Sequence, residues 1–339
     1  MKISVVIPVY NAEKFIAATL GSVVAAAGRL RDGDECEVIA VDDGSTDGSG
    51  AILDEYAAKD PRFCVIHQPN GGEGAARNAG MDRATGDIIA FLDADDTWHP
   101  DALRLIAETR EKTGADVIRY GWMPVDSHDR GFEPLPAGAC GRIEDLSTRR
   151  ESTIRFCTLG AATAVSRAAC GDIRFCGLTQ GADLVYVLDC LLRTGKAAYI
   201  DAPLLHYLMH PGQISRKVTK ELVLGTCGYI PEIAERCARL DGGEEAREDT
   251  RRYICVLVFR RLLGSWRMFG DASDREEIRL AFWKMLDRLV AMPGFFTPAR
   301  RRLFAGACRR RSAALLRIFA VGACRASRRR SACRAVFMV

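Results

Sequence analysis

No Cys-x-x-Cys pair and no histidine cluster at zinc spacing occurs in the sequence, despite its 13 cysteines and 5 histidines. That excludes a zinc ribbon or finger as the organising feature. The cysteine count is odd and the positions are scattered. Many sit in apolar settings, such as Cys190 and Cys255, where a thiol behaves as a small hydrophobe. The pattern suits a reducing cytoplasm and not a secreted disulfide framework. No run of 18 apolar residues occurs either, so no membrane-spanning helix is expected. Met1-Lys2 leads straight into the stretch from Ile3 to Tyr10, which is too short for a signal peptide and is interrupted by Pro8. Internal repeats and long low-complexity tracts are absent.

What is present is an acidic body with a basic end. Thr297 to Val339 holds 12 arginines and no Asp, Glu or Lys. Without those 12 the 48 basic residues fall to 36 against 44 acidic, so the first 296 residues carry about −8. At 48% hydrophobic and 27% charged, the composition is that of a soluble globular protein. The 339 residues suffice for one large domain with an addition, or for two domains.

The first 120 residues alternate between short β-branched runs and helical periodicity. Strands are predicted at Ile3 to Ile7, Glu37 to Val41, Phe63 to His67, Ile88 to Leu92 and Val117 to Tyr120. The helices between them are predicted at Glu13 to Ala27, Gly48 to Ala58, Ala75 to Ala84 and Asp101 to Lys112. Such alternation implies right-handed crossovers and a parallel sheet covered on both faces, the α/β class. Ligands of these sheets bind beyond the carboxyl ends of the strands. Tyr10-Asn11, Asp42-Asp43, Pro69-Asn70 and Asp93 to Asp96 all fall at such ends. From Gly121 to Arg150 the pattern breaks into Gly, Pro and polar residues, read as a flexible segment or lid. Strands return near Ala161 to Val165, Ala197 to Ile200 and Leu205 to Met209, with a helix from Asp183 to Leu192. Beyond Lys217 helices are predicted at Glu221 to Arg239, Glu245 to Met268 and Asp274 to Ala291.

Three motifs carry chemistry. Asp93-Ala94-Asp95-Asp96 ends a buried strand with three carboxylates. Like charges held together repel and are costly to bury unpaired, so the site calls for a cation. A hard divalent ion with oxygen ligands would neutralise them and leave positions open for a phosphate. An acidic, solvated turn before the next helix is the plainer alternative. The run Asp42 to Ser49 reads as an Asx-turn with a helix cap, yet two carboxylates at a strand tip also suit a nucleobase imide or a ribose hydroxyl. Asn70 to Gly80 joins a glycine-rich turn to a helix carrying Arg77, which suits an anion or a base edge. Its third glycine position holds Arg77 and the loop follows the third strand, which excludes a nicotinamide-dinucleotide fingerprint.

Taken together, Ser4 to Asn11, Asp42 to Ser49, Gly74 to Gly80 with its Ala-Arg-Asn core, and Gly86-Asp87-Ile88 through Trp98 resemble the family-2 glycosyltransferases of the GT-A fold. The resemblance covers roughly the first 100 residues, in the family's order and spacing. It implies a Rossmann-like, mostly parallel sheet flanked by helices, a nucleotide-sugar donor, a divalent metal (Mn2+ or Mg2+), and transfer with inversion. By the same carry-over Pro8, Tyr10, Glu13 and either Asp42 or Asp43 line the donor pocket, and Arg77 holds the uridine side. Asp93 and Asp95 flank the ribose and the metal, and Asp95 or Asp96 coordinates the ion. The domains implied are 1–216, with a nucleotide-sugar half (1–120) and an acceptor half (121–216), and a helical region, 217–339.

The acceptor half matches less closely. Where the family often shows Gly-Glu-Asp before an apolar helix, this chain has Gly181-Ala182-Asp183. Asp183 keeps the position of the catalytic base, and Ala182 replaces a second carboxylate. Tyr207 to Arg216 resembles a further family stretch in which His210 could reach the metal or the diphosphate. A helix N-terminal carboxylate and a structural histidine are the plainer readings of these two residues. The expected activity is inverting transfer from a UDP-sugar to a glycan or lipid-linked hydroxyl in polysaccharide synthesis. A sugar nucleotidyltransferase would carry an Arg-containing glycine loop where this chain has Pro8 to Glu13, and a non-catalytic nucleotide-sugar binding module is the other rival. The location expected is cytoplasmic, or peripheral on the inner membrane face. Leu303, Phe304, Ala307, Leu315, Ile318 and Phe319 recur at helical spacing among the tail arginines, so the tail is either a packed helical layer or a basic surface resting on anionic lipid. No nucleic-acid partner is expected.

Overall fold

The structure is a computed structural model that describes residues 1–128, 131–133, 135, 162–177, 181–194, 196–211, 219–239 and 272–292. The helix expected at Glu245 to Met268, the tail from Thr297, and most of the expected lid lie outside the described residues. Two compact units emerge, one drawn from described residues up to 211 except 181, the other from 181, 219–239 and 272–292.

The first unit opens as predicted: β1 (Lys2–Val9), α1 (Ile16–Ala27), β2 (Glu35–Asp42), α2 (Ser49–Lys59), β3 (Phe63–His67), α3 (Glu73–Arg83), β4 (Ile88–Phe91). Then come β5 (Thr97–Trp98), α4 (Ala102–Thr113), β6 (Val117–Val125), β7 (Thr163–Ser166), α5 (Arg167–Cys170), α6 (Ala182–Thr194) and β8 (Ala197–Leu208). They build an eight-stranded sheet ordered β3-β2-β1-β4-β7-β6-β8-β5. β1 pairs in parallel with both β2 and β4, and β2 with β3.

The second half of the sheet departs from the sequence reading in two places. β6 runs on to Val125, into the stretch read as a lid from Gly121, and β7 lies antiparallel between it and β4. The segments predicted as separate strands at 197–200 and 205–209 are one strand, β8, parallel to β6, with register shifts around Gly121 that absorb the polar interruption. Periodicity reports which residues are extended but not which strand lies alongside.

Alternation along β1 buries both faces, as a central parallel strand requires. Ile3, Val5, Ile7 and Val9 join a core with Ile16, Leu20 and Val23 of α1 and Leu103 and Ile106 of α4. On the other face α3 lies so close that a Cβ at Gly80 would sit 2.4 Å from a Val6 methyl carbon, so only glycine lets the helix seat there.

One partly buried carboxylate fastens three strands. Glu37 of β2 accepts from Ser4 Oγ of β1 at 2.5 Å and from the Thr85 amide, at the entry to β4, at 2.6 Å, and pairs with Lys2 at 2.8 Å. Burial alone would raise its pKa, but Lys2, Ser4 and Thr85 outweigh burial and hold it at about 2. A lowered carboxylate stabilises the fold above its unfolded pKa, and that stability is lost as pH falls through the folded value. Glu37→Gln is therefore expected to cost on the order of 2 kcal/mol at pH 7, allowing for solvent screening. Thermal melts of both proteins should converge between pH 4.5 and about 2. A gap that stays constant over that range would remove the charge from the explanation.

The second unit pairs α7 (Lys220–Arg239) with α8 (Ala272–Ala291). Lys220 bonds Asp274 at 2.7 Å at one end, and Arg288 bonds Glu232 and Glu235 at 3.0 and 2.9 Å further along, so the two helices run parallel. No helix among the described residues is long and apolar enough to cross a membrane.

Candidate active site

The loops at the carboxyl ends of β1 and β2 are stitched to each other by polar side chains. Asn11, at a left-handed φ of 49°, accepts from the Thr46 amide at 2.8 Å, and its own amide donates to Ser45 Oγ at 3.1 Å. Glu13 accepts from the Gly48 amide at 3.1 Å, which ties one of its oxygens to the start of α2. Pro8 is buried in β1, whereas the Tyr10 side chain stands open, 53% exposed, at the rim of the same loop.

Asp42 and Asp43 have different tasks. Asp42 accepts from the Ser45 amide at 2.9 Å, and its second oxygen lies 2.9 Å from His67 Nδ1. Burial opposes ionisation, but these hydrogen bonds prevail and lower its pKa. The other nitrogen of His67 is 3.1 Å from Asp54, and two carboxylates, Asp42 foremost, raise the imidazole's pKa. Asp43 is 3% exposed and accepts from Gly71 N at 2.9 Å, Gly72 N at 2.8 Å and Gln68 Nε2 at 2.7 Å. The glycine-turn amides that the sequence offered to an anion are thus taken by Asp43, which keeps about one of its four lone-pair sites open.

At the end of β4 the three carboxylates diverge. Asp93 accepts from Arg77 Nη2 at 2.7 Å. Poor hydration raises the pKa of Asp93, Arg77 opposes this, and Glu73 and Asp95 add like charge. Asp95 lies with its Oδ2 3.0 Å from His210 Nε2, both side chains partly open. Its backbone carbonyl accepts from His128 Nε2 at 2.7 Å, and Phe15 lies against His210 with ring centroids 4.6 Å apart. Asp96 is fully buried and accepts from the Leu208 amide at 3.0 Å, which ties β8 to the site. Its other oxygen has no hydrogen-bond partner, and burial followed by the charges of Asp93 and Asp95 raises its pKa.

Arg77, 5% exposed, is the buried cation among these acids. Nη2 also meets Glu73 at 2.5 Å, and the guanidinium carbon lies 5.2 Å from the centre of the Phe175 ring. Although burial opposes its charge, Glu73, Asp93 and Asp183 hold it protonated, so Asp183 acts on Arg77 from the first turn of α6. The structure therefore brings Arg77, Asp93, Asp95, His210 and Asp183 into one unit. It turns Asp96 inward and assigns Glu13 and Asp43 to loop geometry. Sequence reasoning passed over His128 and Phe175, neither of which stands in a motif. Tyr186, in the stretch around Asp183, and Asn78 stood inside motifs without a role.

No group of three His, Cys, Asp or Glu side chains among the described residues could hold a metal ion by itself. Asp95 and His210 supply one oxygen and one nitrogen donor side by side, which fits a divalent ion that completes its shell from a substrate diphosphate and water.

A family model described as "Glycosyl transferase family 2" matches residues 4–171. The putative teichuronic acid biosynthesis glycosyltransferase TuaG of Bacillus subtilis is 41% identical over 206 residues, which is 58% of this chain and 74% of that protein. The chain belongs to glycosyl transferase family 2. A further relative in the family, the putative glycosyltransferase EpsH of Bacillus subtilis, is 27% identical over 82% of this chain and 81% of its own length. Among solved structures, S. aureus TarS 1–349 in complex with UDP-GlcNAc superposes with a TM-score of 0.73 at 21% identity, covering 94% of this chain and 90% of that one. The mannosyltransferase PcManGT from Pyrobaculum calidifontis, in complex with GDP-Man and Mn2+, gives 0.51 at 14% identity over 95% and 85% of the two chains. As a family-2 member with a GT-A fold, the protein is a glycosyltransferase, and the fold class read from the sequence stands.

Proposed function

We propose that this glycosyltransferase moves a sugar from a nucleotide-sugar donor, a UDP-sugar, to a hydroxyl of a glycan or lipid-linked acceptor, with inversion at the anomeric carbon. One observation carries the reading: at the end of β4, Arg77 holds Asp93 while Asp95 turns to His210. That is a cation and two acids at a strand end where α/β sheets bind ligands, and the charge of Asp183 on α6 helps keep the cation protonated. The domain division at residue 216 is part of the same proposal.

In this reading Tyr10 and Pro8 border the base, Asp42 and Asp43 shape the loop beneath it, and Asp93, fixed by Arg77, accepts from the ribose. Asp95 and His210 would hold a divalent ion, Mn2+ or Mg2+, which when bound supplies positive charge against the leaving diphosphate. The neighbour named as a complex with UDP-GlcNAc supports a nucleotide-sugar donor, and the one named with GDP-Man and Mn2+ supports a donor together with a divalent ion. Asp183 takes the proton of the acceptor hydroxyl as its oxygen attacks the anomeric carbon. The bond from that carbon to the diphosphate oxygen breaks on the opposite face, and the electron pair leaves with the nucleoside diphosphate. A single displacement through an oxocarbenium-like state inverts the centre.

A screen of UDP-, GDP- and dTDP-sugars, with released nucleotide as the signal and Mn2+ or Mg2+ present, tests this directly. A UDP-sugar should give the fastest release. No release from any sugar nucleotide would overturn the donor assignment.

A further inference from the structure

One stripe of α3 grips a distant stretch of chain. Gly74, Asn78 and Asp82 lie at four-residue intervals and so share a face. Each meets the segment 174–176. Asp82 accepts from Arg174 at 2.7 Å. Asn78 binds both polar groups of one peptide residue, donating Nδ2–H to Phe175 O at 3.0 Å and accepting from Phe175 N at 2.8 Å. At Gly74 a Cβ would stand 3.3 Å from Cys176 O and 3.5 Å from Phe175 Cβ, so the segment lies flush on the helix.

The side chain held by this grip faces the site from below. The Phe175 ring lies under the Arg77 guanidinium and stacks on Tyr186, with centroids 4.2 Å apart and planes at 12°. Phe91, the last residue of β4, meets both rings edge-on at 5.2 and 5.6 Å. Tyr186 is three residues after Asp183 on α6, and therefore on nearly the same face. Arg77 needs such support, because its buried Nε has no hydrogen-bond partner and both of its short ion-pair contacts use Nη2. Among the described residues the aromatic face adds a restraint on the guanidinium plane that the two Nη2 contacts do not supply.

We propose that Asn78 and Phe175 are positioning residues that register the donor side of the site to the acceptor side. One ring, fixed through its backbone by Asn78, sets Arg77 against Asp93 above and the Tyr186 face of α6 beside it, and so the aim of Asp183. The proposal rests on Arg77 serving the donor and Asp183 the acceptor. A ring that only filled the core would stabilise the fold without linking the two.

The test compares wild type, Phe175→Leu, Asn78→Ala, Asp183→Asn and Phe175→Leu/Asp183→Asn, with UDP and Mn2+ as the calorimetric probe and UDP-GlcNAc as the donor. Phe175→Leu and Asn78→Ala should each weaken UDP binding about tenfold and lower kcat about tenfold, beyond any loss in melting temperature. In the Asp183→Asn background Phe175→Leu should still weaken UDP binding but change kcat by less than about twofold, because the misaimed group is already gone. A lowered melting temperature with both constants unchanged overturns the proposal, as do kcat losses that multiply fully in the double variant. If wild type binds no UDP, the donor reading fails and this proposal falls with it, whereas wild-type UDP binding that stays unchanged in Phe175→Leu and Asn78→Ala overturns the proposal alone.

Discussion

Asp95→Asn is expected to lower transfer by roughly 100-fold or more while leaving the fold intact. Of the three carboxylates after β4, Asp93 is bonded to Arg77 and Asp96 is buried against Leu208. Asp93 and Asp95 are about equally open, but Asp93 is taken by the arginine, whereas Asp95 lies beside an imidazole, His210. An amide of the same size keeps the packing and removes the charge that a hard divalent ion needs from its oxygen ligand. Nucleotide release by the variant should be almost absent at any concentration of Mn2+ or Mg2+, and a chelator should reduce wild type to the same level. Full activity of wild type in excess chelator would refute the metal-assisted reading.

Asp183→Asn is expected to cost turnover about 100-fold or more with donor binding preserved. Asparagine cannot take the acceptor proton, yet it matches aspartate in shape at the first turn of α6. Arg77 loses one of the three acidic neighbours that hold it charged and keeps Glu73 and Asp93, so the donor side should change little. Turnover and donor affinity measured separately decide the matter. A variant with weakened donor binding and unimpaired turnover would move Asp183 to the donor site and leave the base unassigned.

These two expectations draw on different sources. Asp95 and Asp183 were both legible in the sequence, each by its place in a motif and with the task proposed for it here. The different surroundings of the three acids after β4 were not. Written as Asp93-Ala94-Asp95-Asp96, the acids look equivalent, and sequence reading gave Asp95 and Asp96 the same task. The structure separates them by rotating successive side chains beyond β4 toward an arginine, a histidine and a backbone amide in turn. The same holds for the glycine turn, whose amides looked free for an anion until Asp43 proved to occupy two of them.

The sequence by itself determined the parallel half of the sheet, because β1 to β4 and their helices each bury their own apolar periodicity and connect through short local crossovers. It determined which strand ends are polar, and through four spaced motifs it determined the family. Only the tertiary structure decided the order of β7, β6 and β8, since strand pairing is a contact between segments tens of residues apart that leaves no periodic mark. It alone decided that Phe175 lies under Arg77, because Asn78 and Phe175 are 97 residues apart. Local pattern records how a residue is buried, whereas the partner it meets is fixed by chain closure over long separations, where hydrogen-bond satisfaction and ring packing choose among many compatible neighbours.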